Sequence, residues 1–198
     1  MSVRDIVVIG ASAGGIGALA QLATRLPNDF QAAIFVTIHA YSGRNGFLPK
    51  LLSSKGTWPA DQARDGEPIR PGRIYTAPPD YHLTLENGRV LLSHGPKENM
   101  QRPCINTMFR SAASVYGPRV AGVLLTGLLD DGAAGLWEIQ RRGGATIVQD
   151  PEEAQFPSMP ESAIKGLNVQ YIVRIAEMGT LLKRLATQNR ERFPESFI

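Results

Sequence analysis

The sequence predicts a doubly wound, three-layer αβα fold on a mostly parallel sheet. Three observations predict it. Short apolar runs alternate with segments of helical periodicity along the chain. Runs such as Ile6-Val7-Val8-Ile9 carry no polar alternate, as in strands covered on both faces. The first run leads straight into a glycine-rich turn and then a helix. At 198 residues, with no repeat, low-complexity segment or splitting linker, the chain reads as one domain over 1–198.

The first strand is read over Asp5–Gly10, ending in Gly10-Ala11-Ser12-Ala13-Gly14-Gly15-Ile16-Gly17. A helix over Gly14–Arg25 follows, with Ile16, Leu19, Leu22, Ala23 and Leu26 at helical spacing, stopped by Pro27-Asn28-Asp29. The second strand, Ala32–Ile38, ends on His39. A polar loop, Ala40–Gly46, leads to a helix over Phe47–Ser54. Turn formers across 57–72 surround a short strand near Pro59–Ala63, and a strand over Arg73–Ala77 comes next. His82–Glu86 and Arg89–Ser93 flank Asn87-Gly88, a two-residue hairpin signal.

Beyond the loop Gly95–Pro103, a helix is expected over Ile105–Val115 and a strand over Arg119–Thr126. Gly127–Gly135 then opens a helix reaching Arg141. A strand over Ala145–Gln149, a short helix over Glu161–Lys165, a strand over Val169–Val173 and an amphipathic helix over Ala176–Arg192 close the chain. The sum is a Rossmann-like sheet with an appended antiparallel hairpin. In such sheets, ligands and chemistry gather past the C-terminal strand ends. That rim collects Ser12, His39, Asp130 or Asp131, and Asp150.

The glycine turn fits two chemistries. Gly10-Ala11-Ser12-Ala13-Gly14 matches G-x-S-x-G, a nucleophile elbow. The same strand–turn–helix also suits a phosphate cradle. A dinucleotide site wants an acid at the end of the second strand, about 20 residues past the turn, to bind the ribose. His39 stands there instead, the middle glycine of G-x-G-x-x-G is missing, and no Gly-Lys-Ser/Thr follows. A serine nucleophile needs an imidazole base, and the base needs an acceptor. Ser12, His39 and a rim aspartate supply these types in an order unlike that of α/β-hydrolases. Singly, each has a plainer reading: a small turn residue, a satisfied histidine, a helix cap. Their shared rim favours the hydrolase.

Other features narrow the class. The net charge of +3, without interleaved basic and aromatic residues, gives no nucleic-acid platform, and the basic C-terminal residues read as a solvated helix face. No run approaches the roughly 20 apolar residues of a membrane helix, and no signal peptide precedes the first strand. The lone Cys104 permits no intrachain disulfide and reads as a small semi-buried residue. A cytoplasmic location is expected. No His/Cys cluster has metal-ligand spacing, and His82 and His94 read as structural.

The motif set resembles the catalytic domain of the chemotaxis protein-glutamate methylesterases (CheB), from about Val7 to Leu185. It is carried by Val8-Ile9-Gly10-Ala11-Ser12-Ala13-Gly14-Gly15, Ile38-His39, Pro71-Gly72-Arg73-Ile74-Tyr75-Thr76-Ala77-Pro78-Pro79-Asp80-Tyr81-His82-Leu83 and Arg102-Pro103. Phe109-Arg110-Ser111-Ala112-Ala113, Leu125-Thr126-Gly127, Asp131-Gly132-Ala133-Ala134-Gly135, Gln149-Asp150, Met159-Pro160 and Ala163-Ile164 complete it. The resemblance implies a serine hydrolase that demethylates γ-glutamyl methyl esters on chemoreceptor helices, releasing methanol, and that can deamidate glutamines there. It implies Ser12 as nucleophile, His39 as general base and acid, and Asp131 rather than Asp130 as the orienting carboxylate. The backbone N–H groups of Ala13 and Leu128 are expected to form the oxyanion hole. No cofactor or metal is implied. The implied partners are methyl-accepting receptor helices or another methylated protein. Family members in chemotaxis usually carry an N-terminal receiver domain, so this sequence is expected to be either a stand-alone form, for which a separate regulatory protein is a candidate partner, or an excised domain.

The sequence departs from the family pattern at Ala13 (often threonine), Asn106 (aspartate), Leu128 (methionine), Leu129 (glycine) and Ser158 (glycine). These bear on substrate preference more than on the triad. Leu128-Leu129, with the start of the sequence at the first strand, motivates the rival expectation, a non-catalytic or diverged CheB-like regulatory or binding module.

Overall fold

A computed structural model describes residues 3–39 and 46–187. Strand β1 (Ile6–Ala11) is its central element, and all six of its residues are buried. Their side chains alternate between two cores, as the period-2 geometry of a strand requires. Val7, Ile9 and Ala11 enter one core, while Ile6 and Val8 enter the other. Burial on both faces is why the run carries no polar alternate.

The remaining elements in chain order are α1 (Gly15–Ala23), β2 (Ala33–Ile38), α2 (Phe47–Lys55), β3 (Ala60–Gln62), β4 (Arg73–Thr76), β5 (His82–Glu86) and β6 (Arg89–Ser93). Then follow α3 (Ile105–Tyr116), β7 (Val120–Leu124), α4 (Ala133–Arg141), β8 (Ala145–Gln149), α5 (Ser158–Gly166), β9 (Tyr171–Val173) and α6 (Ile175–Thr187). Among the described residues, seven strands form one sheet in the order β3-β4-β2-β1-β7-β8-β9, and every pairing is parallel. Helices α1, α2 and α6 cover one face; α3, α4 and α5 cover the other. The expected fold class is the observed one.

The Asn-Gly hairpin forms as expected, pairing β5 with β6 in a separate two-stranded sheet. It packs on α3: Leu83, Leu85 and Val90 join that core, and Leu85 N–H donates to Ser111 Oγ at 3.1 Å.

Element ends moved where caps outweighed pattern. Helix α5 starts at Ser158 rather than Glu161, since Pro160 lies in its first turn, where proline is tolerated. Gly117–Arg119 forms a 3₁₀ turn, which delays β7 to Val120. Ile16 is 39% exposed and faces away from the core despite its helical spacing. Residues 40–45 of the expected loop, and the part of the expected last helix beyond 187, lie outside the described residues.

Chain order places a switch point beside β1. The path runs to one side through β2, then returns across to β7 on the other. The crevice at the C-terminal ends of β1, β2 and β7 is where such sheets bind ligands.

Candidate active site

Ser12 is the first residue past β1 and is partly exposed at the rim. Its backbone is held from two sides: its N–H donates to Thr126 O at 3.0 Å, and its carbonyl accepts from Gly15 N–H at 2.9 Å. The turn requires Gly14, whose φ of 75° is left-handed and whose added Cβ would lie 2.8 Å from Gln155 Oε1. Gly127 lets the β7 loop close on the serine, because a Cβ there would lie 2.8 Å from Ser12 Cβ. Behind the turn, Thr126 Oγ1 donates to Ala13 O at 3.1 Å, and Gln149 Oε1 accepts from Thr126 N–H at 2.8 Å. Both residues are nearly fully buried.

His39 follows β2, and its backbone N–H donates to Ala11 O at 3.1 Å, one residue before Ser12. Its ring Nε2 lies 2.8 Å from Asp131 Oδ2. With Nε2–H donating to that carboxylate, Nδ1 carries the lone pair and is the ring nitrogen left for a proton from elsewhere. Among the described residues no hydrogen bond joins Ser12 to His39. In hydrolases without substrate the serine–histidine hydrogen bond is often long or unmade.

Asp131 is 3% exposed and heavily bonded. Besides His39, Oδ2 accepts from Ile105 N–H at 2.7 Å. Oδ1 accepts from Asn106 N–H at 3.1 Å, Asn99 Nδ2 at 3.1 Å and Cys104 Sγ at 3.2 Å. The carboxylate therefore caps the N-terminus of α3, although Asp131 sits before α4. Burial pushes its pKa up, but the His39 bond and the two backbone N–H groups outweigh this and hold it below the ordinary value. The helix end favours the same ionised form.

Asn106 returns the arrangement. Its Oδ1 accepts from Gly132 N–H at 3.0 Å and Gly135 N–H at 2.7 Å, at the start of α4. Helices α3 and α4 are thus capped across each other, and the crossing point is the carboxylate bound to His39.

The structure brings Ser12, His39 and Asp131 to one rim and separates the other aspartates. Asp130 is exposed, while Asp150 accepts from Glu152 N–H and faces Arg174 past β8. Among the described residues, no hydrogen bond is made by the Ala13 or the Leu128 backbone N–H. Cys104 is fully buried rather than semi-buried, and its thiol is pushed up to about 11, first by burial and next by the Asp131 charge. It stays protonated and donates rather than attacks. His82 lies closer to the site than its hairpin position suggested: its Nδ1 accepts Cys104 N–H at 3.3 Å, and its Nε2 meets Pro96 O at 2.9 Å. His94 pairs with Asp80 at 2.8 Å.

Sequence reasoning missed Asn99, Cys104 and Asn106 as partners of Asp131. For Asn99 no signal existed in a polar loop. Asn106 and Cys104 carried one, since each opens the helix that the carboxylate caps.

Three comparisons relate the chain to known proteins. Residues 7–182 match the family model for CheB methylesterase. A Leptospira interrogans protein, provisionally named a protein-glutamate methylesterase/protein-glutamine glutaminase, is 36% identical over 189 residues, covering 95% of this chain and 98% of its own. A protein-glutamate methylesterase/protein-glutamine glutaminase of Anaeromyxobacter dehalogenans is 39% identical over 181 residues; the match covers 91% of this chain but only 53% of that protein. The crystal structure of the Thermotoga maritima CheB methylesterase catalytic domain superposes with a TM-score of 0.87 at 34% identity, covering 91% of this chain and 98% of that one. With the family model spanning nearly all of the described fold, the chain belongs to the CheB methylesterase family.

Proposed function

We propose that this chain is a serine hydrolase that removes γ-methyl esters from glutamate side chains of chemoreceptor helices, or of another methylated protein, and deamidates glutamines there. The observation that carries the proposal is the 2.8 Å His39–Asp131 pair on the same strand-end rim as Ser12.

Ser12 Oγ attacks the ester carbonyl carbon while His39 Nδ1 takes its proton. The carbonyl oxygen becomes an oxyanion, received by the N–H groups of Ala13 and Leu128. A missing donor of this kind costs about 10²–10³ in rate. Asp131 keeps the proton on Nε2 and stabilises the imidazolium as it forms. The tetrahedral intermediate collapses, the C–O bond breaks, and His39 protonates the departing methoxide to methanol. Water, deprotonated by His39, then attacks the glutamyl–Ser12 ester; the serine leaves with its proton restored and glutamate is released. For a glutamine substrate the departing group is ammonia. Each proton in the cycle is carried by side chains of this chain or by water.

Methanol release from a methylated receptor fragment tests the proposal. Wild type is expected to release methanol, and Ser12→Ala is expected to lose at least about 10³-fold in rate while keeping its thermal midpoint. Equal release by the two proteins excludes Ser12 as nucleophile. No release by either, with no labelling of Ser12 by a serine-directed phosphonate, favours a binding module on the same fold.

A further inference from the structure

Leu129 has a φ of 66°, in the left-handed region where a leucine is strained and a glycine is not. Its side chain is 66% exposed and that of Leu128 is 51% exposed. Folding therefore gains little from either side chain, while the backbone conformation penalises one of them. A residue that lowers stability without packing in the core marks a position where something other than the fold is served.

The position says what that is. The two leucines lie between Gly127, which abuts Ser12 Cβ, and Asp131, which binds His39. Both ends of this short loop are fixed. Gly127 N–H donates to Phe156 O and Gly127 O accepts from Met159 N–H, each at 3.0 Å, while the Asp131 carboxylate is tied to the start of α3. The loop thus carries two exposed apolar side chains on a backbone anchored between Ser12 and the His39–Asp131 pair.

On the methylesterase reading above, we propose that Leu129 is a specificity-determining residue. Its side chain, supported by Leu128, packs against apolar residues flanking the esterified glutamate on the substrate protein. A small ester, which carries no flanking residues, does not use this contact.

The experiment compares the full chain with Leu129→Gly and Leu129→Met on two substrates, a small activated aryl acetate and a methylated receptor fragment. Glycine relieves the strain, so the thermal midpoint of Leu129→Gly is expected to hold or rise. Its kcat/KM on the fragment is expected to fall about tenfold or more, chiefly through KM, the scale of one lost apolar contact. Hydrolysis of the aryl acetate is expected to stay within about twofold of wild type, and methionine, equally apolar, to retain most of the activity on the fragment. An unchanged kcat/KM of Leu129→Gly on the fragment overturns the proposal. So does an equal fall on both substrates, which would make Leu129 a support of the triad. A wild type that cleaves the acetate but not the fragment defeats the methylesterase reading, and the role of Leu129 with it.

Discussion

At Asp131 one carboxylate accepts from an imidazole, two backbone N–H groups, an amide and a thiol. Each bond favours the ionised form, so the folded pKa lies below the unfolded value. A depressed carboxylate contributes stability that is present above the unfolded pKa of about 3.9 and is lost as pH falls through the folded value. Asp131→Asn is therefore expected to flatten the loss of stability with acid below about pH 4, measured by denaturant unfolding across pH. It also turns donors toward donors, so stability at neutral pH should fall by at least about 2 kcal/mol. Cys104 carries the opposite sign. Its thiol is raised to about 11, so the folded state holds its proton while the unfolded chain, with an ordinary thiol near 8.5, releases it. Stability that depends on the neutral thiol should fall as pH rises from about 8.5 to 11. Native protein at pH 8 should resist a maleimide, and the same thiol should react at once in denaturant. Rapid native labelling would mean that Cys104 is not buried against Asp131.

At the scale of elements, the reciprocal caps of α3 and α4 hold Asp131, the carboxylate bound to His39. Asn106 fixes Gly132, the residue after Asp131, through a side-chain oxygen that also binds Gly135. Asn106→Ala leaves two buried N–H groups unpaired, a loss of about 2–4 kcal/mol and a midpoint lower by several degrees. Activity should fall further than stability alone explains, since Asp131 loses its register. A variant with normal turnover would contradict that role. These end contacts were the least legible part of the sequence. The β1–turn–α1 unit was readable because β-branched periodicity and Gly14 act locally. The Asn87-Gly88 hairpin was readable for the same reason. The choice of Asp131 over Asp130 was not local: both precede the same helix, and only burial beneath α3 separates them. The motif resemblance made that choice before geometry did.

For the molecule as a whole, the alternation of runs and helices specified a parallel sheet, and the sheet specified where chemistry would gather. Strand order supplied what periodicity does not encode. With β1 between β2 and β7, loops separated by more than a hundred residues in the chain meet at one crevice. His39 stands where a nucleotide site would place an acid after β2, which is why the glycine-rich turn reads as a nucleophile elbow rather than a phosphate cradle. Among the described residues, no helix is long and apolar enough to cross a membrane. The central claim, that Ser12 is a nucleophile activated by His39 and Asp131, is tested most directly by covalent labelling. A fluorophosphonate should add once, and peptide mapping should place it on Ser12. His39→Gln and Asp131→Asn should label slower by at least about 10²-fold. Labelling at another residue, or at an unchanged rate in both variants, would contradict the account.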